Sequence, residues 1–210
     1  MPLGTFHDWL NLALRWFHVV AAIAWIGQTY LFNWFEANLE PDKDDGPNIA
    51  GRLWMVHGGG FYLVEKQKAV ALMPRTLHWF KWETMLTWLS GFLLLVSMYY
   101  AGHLMLDFES TLGERLAVAV SVGVLAAGYG AYRLVWRIFG ESELPGAAVC
   151  LALLVGTAWG LGHVLTSRAV YLHLGAMMAT IMTANVWLTI LPNQRKMLAA
   201  VEGGGKADMR

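Results

Sequence analysis

The chain has 210 residues, of which 57% are hydrophobic and only 14% charged, with a mean hydropathy of +0.44. Soluble domains carry about a quarter charged residues, so an ordinary water-soluble fold is excluded, and a formal net charge of zero gives no electrostatic footprint for nucleic acid. A single cysteine, Cys150, excludes an internal disulfide and any CxxCH attachment of a c-type haem.

Five stretches lack Lys, Arg, Asp and Glu: 16–35, 84–106, 116–132, 144–167 and 169–194. A helix needs about 20 apolar residues to cross a bilayer core. Four stretches meet that length, and 116–132 does so once Arg133 and Arg137 snorkel toward the surface. The expectation is an all-α integral membrane bundle of five transmembrane helices with one long cytoplasmic loop. Helix one is predicted at about 9–36, the loop at 37–78, and helices two to five at 79–106, 114–138, 145–165 and 168–191. Pro145 starts helix four, because proline suits a first helical turn, and Pro192 is expected to end helix five. Residues 1–195 are expected to form one membrane domain and 196–210 a flexible tail. The N-terminus lacks a basic region followed by a small-residue cleavage site, so no signal peptide is expected.

Of eleven tryptophans, Trp9, Trp34, Trp79, Trp136 and Trp187 fall near predicted span ends, where an aromatic belt belongs. Trp25, Trp88 and Trp159 lie deeper, set either to pack between helices or to face a planar ligand. Gly156 and Gly160 form a GxxxG pattern that permits close helix approach. The basic residues are asymmetric. Lys43, Arg52, Lys66, Lys68, Arg75, Lys81, Arg133, Arg137, Arg195, Lys196, Lys206 and Arg210 fall on the loop side, against Arg15, Arg115 and Arg168 on the other. The positive-inside bias makes the loop side cytoplasmic. A bacterial inner membrane location follows, with the N-terminus periplasmic and the C-terminus cytoplasmic.

Histidine is the informative residue type. His18 lies nine residues after Trp9, and His173 five after Arg168, on helices of the same direction. At 1.5 Å per residue both are expected in the outer half of the bilayer, at similar depth. His103 and His163, ending helices two and four, fall on the same side. Ionisable groups inside a membrane mark function by default. A neutral imidazole there needs a partner for its N–H and its lone pair, and haem iron can take the lone pair. His18 and His173 are therefore candidate axial ligands of haem b, and His103 and His163 further candidate haem-binding residues, with Ala21, Ala22, Gly175 and Ala176 as small neighbours and Met177 as an alternative ligand. The rival reading is hydrogen bonding between helices with no cofactor, or, for His103 and His163, contact with water.

In the loop, His57–Gly58–Gly59–Gly60 offers backbone conformations closed to other residues and N–H groups for an anion or planar ring. A lipase-type oxyanion loop is rejected, because no GxSxG elbow or alternating strand–helix chain accompanies it. His78, Lys81 and Glu83 sit where helix two enters the membrane, either as an active segment or as ordinary interface charges. Gln28, Thr29, Asn33, Thr84, Thr87, Thr180, Thr183 and Asn185 are expected to bond between helices or to line a polar path.

Four separated motifs carry a family resemblance: Arg15–Trp–Phe–His18 through Gly27, Trp54–Met–Val–His57 through Tyr62, Leu77–His78 through Glu83, and Met182–Thr–Ala–Asn185 with Leu191–Pro–Asn–Gln–Arg195. They resemble the membrane domain of bacterial membrane-bound urate hydroxylases, also described as the urate oxidase N-terminal domain. The resemblance implies an inner-membrane redox protein that oxidises urate in purine catabolism and passes electrons to a cytochrome c. It implies that His57 or His78 activates water and that Lys81, beside Glu83, holds the anionic purine. Family members carry about eight membrane helices and a periplasmic cytochrome c domain, so this chain is expected to be a short form lacking that domain. Either it oxidises urate or relays electrons, or it is an accessory subunit within a larger respiratory or photosynthetic membrane complex.

Overall fold

A computed structural model describes residues 5–41, 46–68, 76–106, 110 and 112–203. Helix α1 (Phe6–Asn38) starts where Thr5 and Asp8 cap each other, the Asp8 carboxylate accepting from the Thr5 N–H at 2.9 Å and its hydroxyl at 2.8 Å. Strands β1 (Ile49–His57) and β2 (Gly60–Gln67) follow, then α2 (Trp82–Leu95), which continues through a π-helical turn (Val96–Tyr100). Helices α3 (Glu114–Phe139), α4 (Glu143–Gly162) and α5 (Ser167–Asn185) come next. A second π-helical turn (Val186–Ile190) joins α5 to α6 (Leu191–Glu202).

Four helical stretches are long and apolar enough to cross a membrane: Phe6–Asn38, Glu114–Phe139, Glu143–Gly162 and Ser167–Glu202. Only 11–17% of each apolar window is buried inside the chain. Phe17, Val20, Ile23 and Ile26 on α1 and Leu151, Val155 and Trp159 on α4 face outward, an arrangement stable in lipid and costly in water. The fold is mostly helical, as expected, but α2 has only 14 α-helical residues before its π turn.

Inside the bundle, a core of Leu95, Tyr99, Met105, Ala117, Leu125, Leu161, Leu165, Ala169 and Met177 joins α2 to α5. Close approaches fix it. A Cβ at Gly128 on α3 would sit 2.5 Å from Met177 Cγ on α5, and one at Gly146 on α4 would sit 3.0 Å from the Trp136 ring on α3. Trp88 Nε1 donates to Thr180 Oγ1 at 2.9 Å and Trp187 Nε1 to Thr84 Oγ1 at 3.3 Å, tying α2 to α5. Nothing lies within 4 Å of a Cβ added at Gly156 or Gly160, so the GxxxG face packs against no helix among the described residues. Trp159 is exposed with it, not packed inside.

Three expectations are corrected. The 37–78 stretch is not one loop: β1 and β2 pair antiparallel from Ile49↔Gln67 to His57↔Gly60. Gly58 (φ 58°) and Gly59 (φ 79°) form the two-residue turn between them, where only glycine escapes the Cβ penalty at both positions. The glycines thus serve a hairpin. It docks on the end of α1 through paired backbone bonds between Glu40 and Arg52, both 3.0 Å, and through Lys66 with Glu36 at 2.6 Å. Second, Pro192 does not end the fifth span. It falls in the first turn of α6, directly after a π turn, in a helix that runs on to Glu202. Third, helix continues to Glu202, so 196–202 is not a loose tail. The remainder of that tail, 204–210, and Lys43 and Arg75 of the former loop lie outside the described residues.

Candidate functional site

The main cavity beside a histidine lies between α1, α2 and α5, has a volume of about 640 Å³ and is lined chiefly by apolar side chains. His18 is on its wall. The ring Nδ1 lies 3.1 Å from the Thr87 carbonyl oxygen and 3.1 Å from Ser90 Oγ, both on α2. A carbonyl can only accept, so Nδ1 carries the proton and Nε2 keeps its lone pair. Ser90 Oγ donates in turn to the Leu86 carbonyl at 2.7 Å, which leaves its own lone pair for the imidazole. Gly91 completes the seat: a Cβ there would stand 2.8 Å from His18 Cε1. Helix α2 thus holds the ring by its N–H and leaves room for it by lacking one methyl.

His173 has the same tautomer in a different place. It is fully buried, and its Nδ1 donates to the Ala169 carbonyl at 2.6 Å. Its Nε2 has no partner among the described residues, nor has the Tyr99 hydroxyl, whose ring meets the imidazole edge-on at 6.4 Å. His18 meets α2 at Thr87–Gly91 and His173 meets it at Tyr99. Eight residues separate Gly91 from Tyr99, about 12 Å along a helix. The similar depth expected of the two rings is therefore not found, and His173 is not among the residues lining the cavity. Met177 lines a second cavity with Met178 and Met182, away from His18.

His103 is exposed, with Nδ1 2.6 Å from Glu114 Oε1, and His163 is exposed against the edge of Trp159 at 4.6 Å. Both stand as surface histidines, one beside a carboxylate and one edge-on to an indole. On the loop side, His57 is exposed at the hairpin tip, paired through the backbone with Gly60. No hydrogen bond or ion pair joins it to His78, Lys81 or Glu83 among the described residues. Those three share the approach to α2. His78 is exposed, and Lys81 Nζ lies 5.7 Å from the Trp79 ring and 5.7 Å from the Trp82 ring, a cation held by aromatic faces. Glu83 opens α2 with Oε2 buried and unpartnered among the described residues. Thr87 Oγ1 donates to the Glu83 carbonyl at 2.7 Å, so this segment and the His18 seat lie one helical turn apart.

The sequence singles out neither Ser90 nor Gly91; Thr87 enters it as a polar group bonding between helices or lining a path, and Arg15 and Arg168 as motif and span-end residues with no ligand role. Both arginines line the cavity with His18. The spacing Arg15–His18 is i, i+3, one helix face, and was readable. Gly91 in an apolar helix gave no such signal.

The donor set fits a haem iron on one side. An imidazole fixed through Nδ1–H with a free Nε2 is how histidine ligates a metal. The cavity is apolar and within the 300–1,000 Å³ range of cofactor sites. No cluster of three or more His, Cys, Asp or Glu suited to a metal ion occurs among the described residues, and one or two imidazoles suffice for haem. The family described as urate oxidase N-terminal has a sequence model that matches residues 4–210. No curated protein and no solved structure matches the chain.

Proposed function

The chain belongs to the urate oxidase N-terminal family, and from that premise we propose that it is a b-haem-binding redox protein of a bacterial inner membrane, which takes electrons from urate and relays them toward a periplasmic cytochrome c. In this proposal α2 is the fifth span. Its 14 α-helical and five π-helical residues reach about 28 Å, near the thickness of a bilayer core. The asymmetry of the basic residues supports a cytoplasmic hairpin, a periplasmic N-terminus and a cytoplasmic C-terminus.

His18 carries the proposal: an imidazole whose Nδ1 is held by the Thr87 carbonyl and Ser90, with no hydrogen bond to Nε2 among the described residues, on the wall of an apolar cavity. Bound there, haem supplies a one-electron carrier. Thr87 and Ser90 fix the ligand ring, Gly91 leaves it room, and the apolar wall excludes water. Lys81, flanked by Trp79 and Trp82, draws the anionic purine to the cytoplasmic end of α2, where indole faces suit a flat ring. His78 and Glu83 are the proton acceptors nearest to it in sequence. His57 sits on the exposed hairpin tip, with no hydrogen bond to this segment among the described residues. His173 takes no part in the cavity and serves instead in the α2–α5 core.

The test is anaerobic. Purified chain mixed with urate should show reduction of its haem, and added cytochrome c should then reoxidise it. Haem that stays oxidised in urate yet responds to dithionite would reject urate as the donor. A second reading, an accessory subunit in a larger complex, is favoured by one observation. Trp54, Val56, Phe61 and Leu63 form cross-strand pairs on one hairpin face, and all four are exposed. Copurification with a large membrane complex, without urate turnover, would establish it.

A further inference from the structure

We propose that Arg15 and Arg168 bind the two carboxylates of the cavity's ligand, which are the propionates of the porphyrin if the haem proposal above, on which this rests, is right. Arg15 and Arg168 both line the same cavity as His18. Arg15 stands one turn before His18 on α1, and its Nη2 donates to Met98 Sδ at 3.3 Å. A thioether is a weak acceptor that leaves a guanidinium's charge unanswered. Arg168 opens α5 and has no hydrogen bond or ion pair among the described residues. Among the described residues, no carboxylate lines the cavity.

The two cations also lie at one end of it. Met98 belongs to the π turn that closes α2, and Arg168 precedes by five residues the histidine that meets Tyr99 in that same turn. The opposite end, at Thr87 and Thr180, carries hydroxyl and indole groups and no charge. An occupant with a flat apolar body and two acids on one edge matches this arrangement. The guanidinium fork pairs with carboxylate in two parallel bonds. The porphyrin is thereby oriented with its acids away from the cytoplasm and its apolar edge toward Thr87.

The experiment uses the full chain, purified in detergent after growth without a haem precursor, and titrates it with haemin and with haemin dimethyl ester. The wild type should prefer the free acid by about tenfold or more, since each charged hydrogen-bonded pair is worth at least that. Arg15→Gln and Arg168→Gln should each weaken haemin by about tenfold and leave the ester unchanged, and Arg15→Lys should lie between. The midpoint potential of loaded Arg15→Gln should rise or fall measurably against wild type, because a charge beside the propionates is removed. Equal binding of acid and ester by the wild type overturns the inference while leaving haem binding intact, and would assign the arginines to lipid phosphates. This arm needs no variant to fold. Absence of a Soret shift with either compound overturns the haem proposal and this inference together.

Discussion

Gly91→Ala offers a way to separate ligand positioning from folding. An alanine Cβ at this position would stand 2.8 Å from His18 Cε1 and 3.3 Å from its Nδ1. Carbon atoms rest at about 3.5–4.0 Å, so the ring must retreat by about 0.7–1.2 Å. Its bonds to Thr87 and Ser90 begin at 3.1 Å, and the same retreat carries them to about 3.8 Å or more, past useful hydrogen-bond length. The lost bond costs about 1 kcal/mol. Replacing glycine by alanine within a helix returns about 1 kcal/mol. Thermal unfolding followed by circular dichroism should therefore move little, while haem content by pyridine haemochrome falls severalfold. Gly123→Ala on α3, where an added Cβ meets nothing within 4 Å, is the control and should keep its haem. Full haem content in Gly91→Ala with an unchanged spectrum would refute the role assigned to the seat.

His173→Ala should retain the Soret band and lower the melting temperature, by about 1–3 kcal/mol of stability, because it empties a fully buried site in the α2–α5 core. Calorimetry alongside absorbance reads both. Gly128→Ala should destabilise by about 1–3 kcal/mol through overpacking against Met177, seen as a lowered melting temperature with haem unchanged. Gly59→Val should open the hairpin, since its φ of 79° is strained for any β-branched residue, and limited proteolysis within 49–67 should accelerate. The Glu65 carboxyl is held below its usual range, first by the Gln67 amide and then by the Arg52 guanidinium. A depressed carboxylate stabilises at pH above its unfolded value and loses that contribution as pH falls through its folded one. Hydrogen exchange across β1 and β2 should thus rise on acidification below about pH 4, and Glu65→Gln should remove most of that dependence.

The apolar runs made most helices legible. The third was expected at 114–138 and lies at Glu114–Phe139, because the charge-free run 116–132, flanked by Arg115 and Arg133 and followed by Gly140, has few other solutions. The hairpin was legible too, through Gly58–Gly59 between alternating residues such as Trp54, Val56, Phe61 and Leu63. Its period of two is short beside the apolar helical runs that flank it, so the 37–78 stretch reads as a loop. The continuation of helix past Pro192 was not legible, since it depends on a π turn set by packing. At the site, His18 was legible as a candidate from its type and its place in an apolar run. Its separation from His173 was not, because counting residues from each span end assumed straight helices starting at one plane. Helix α1 actually begins at Phe6, and contacts with α2 place the two rings two turns apart.

The most direct measurement is the reduced-minus-oxidised spectrum of the purified chain, taken for wild type, His18→Ala and His173→Ala side by side. A b-type α-band in wild type and His173→Ala, lost or shifted in His18→Ala, is the expected result. No band in the wild type after haem supplementation, or one that survives His18→Ala unaltered, contradicts the account.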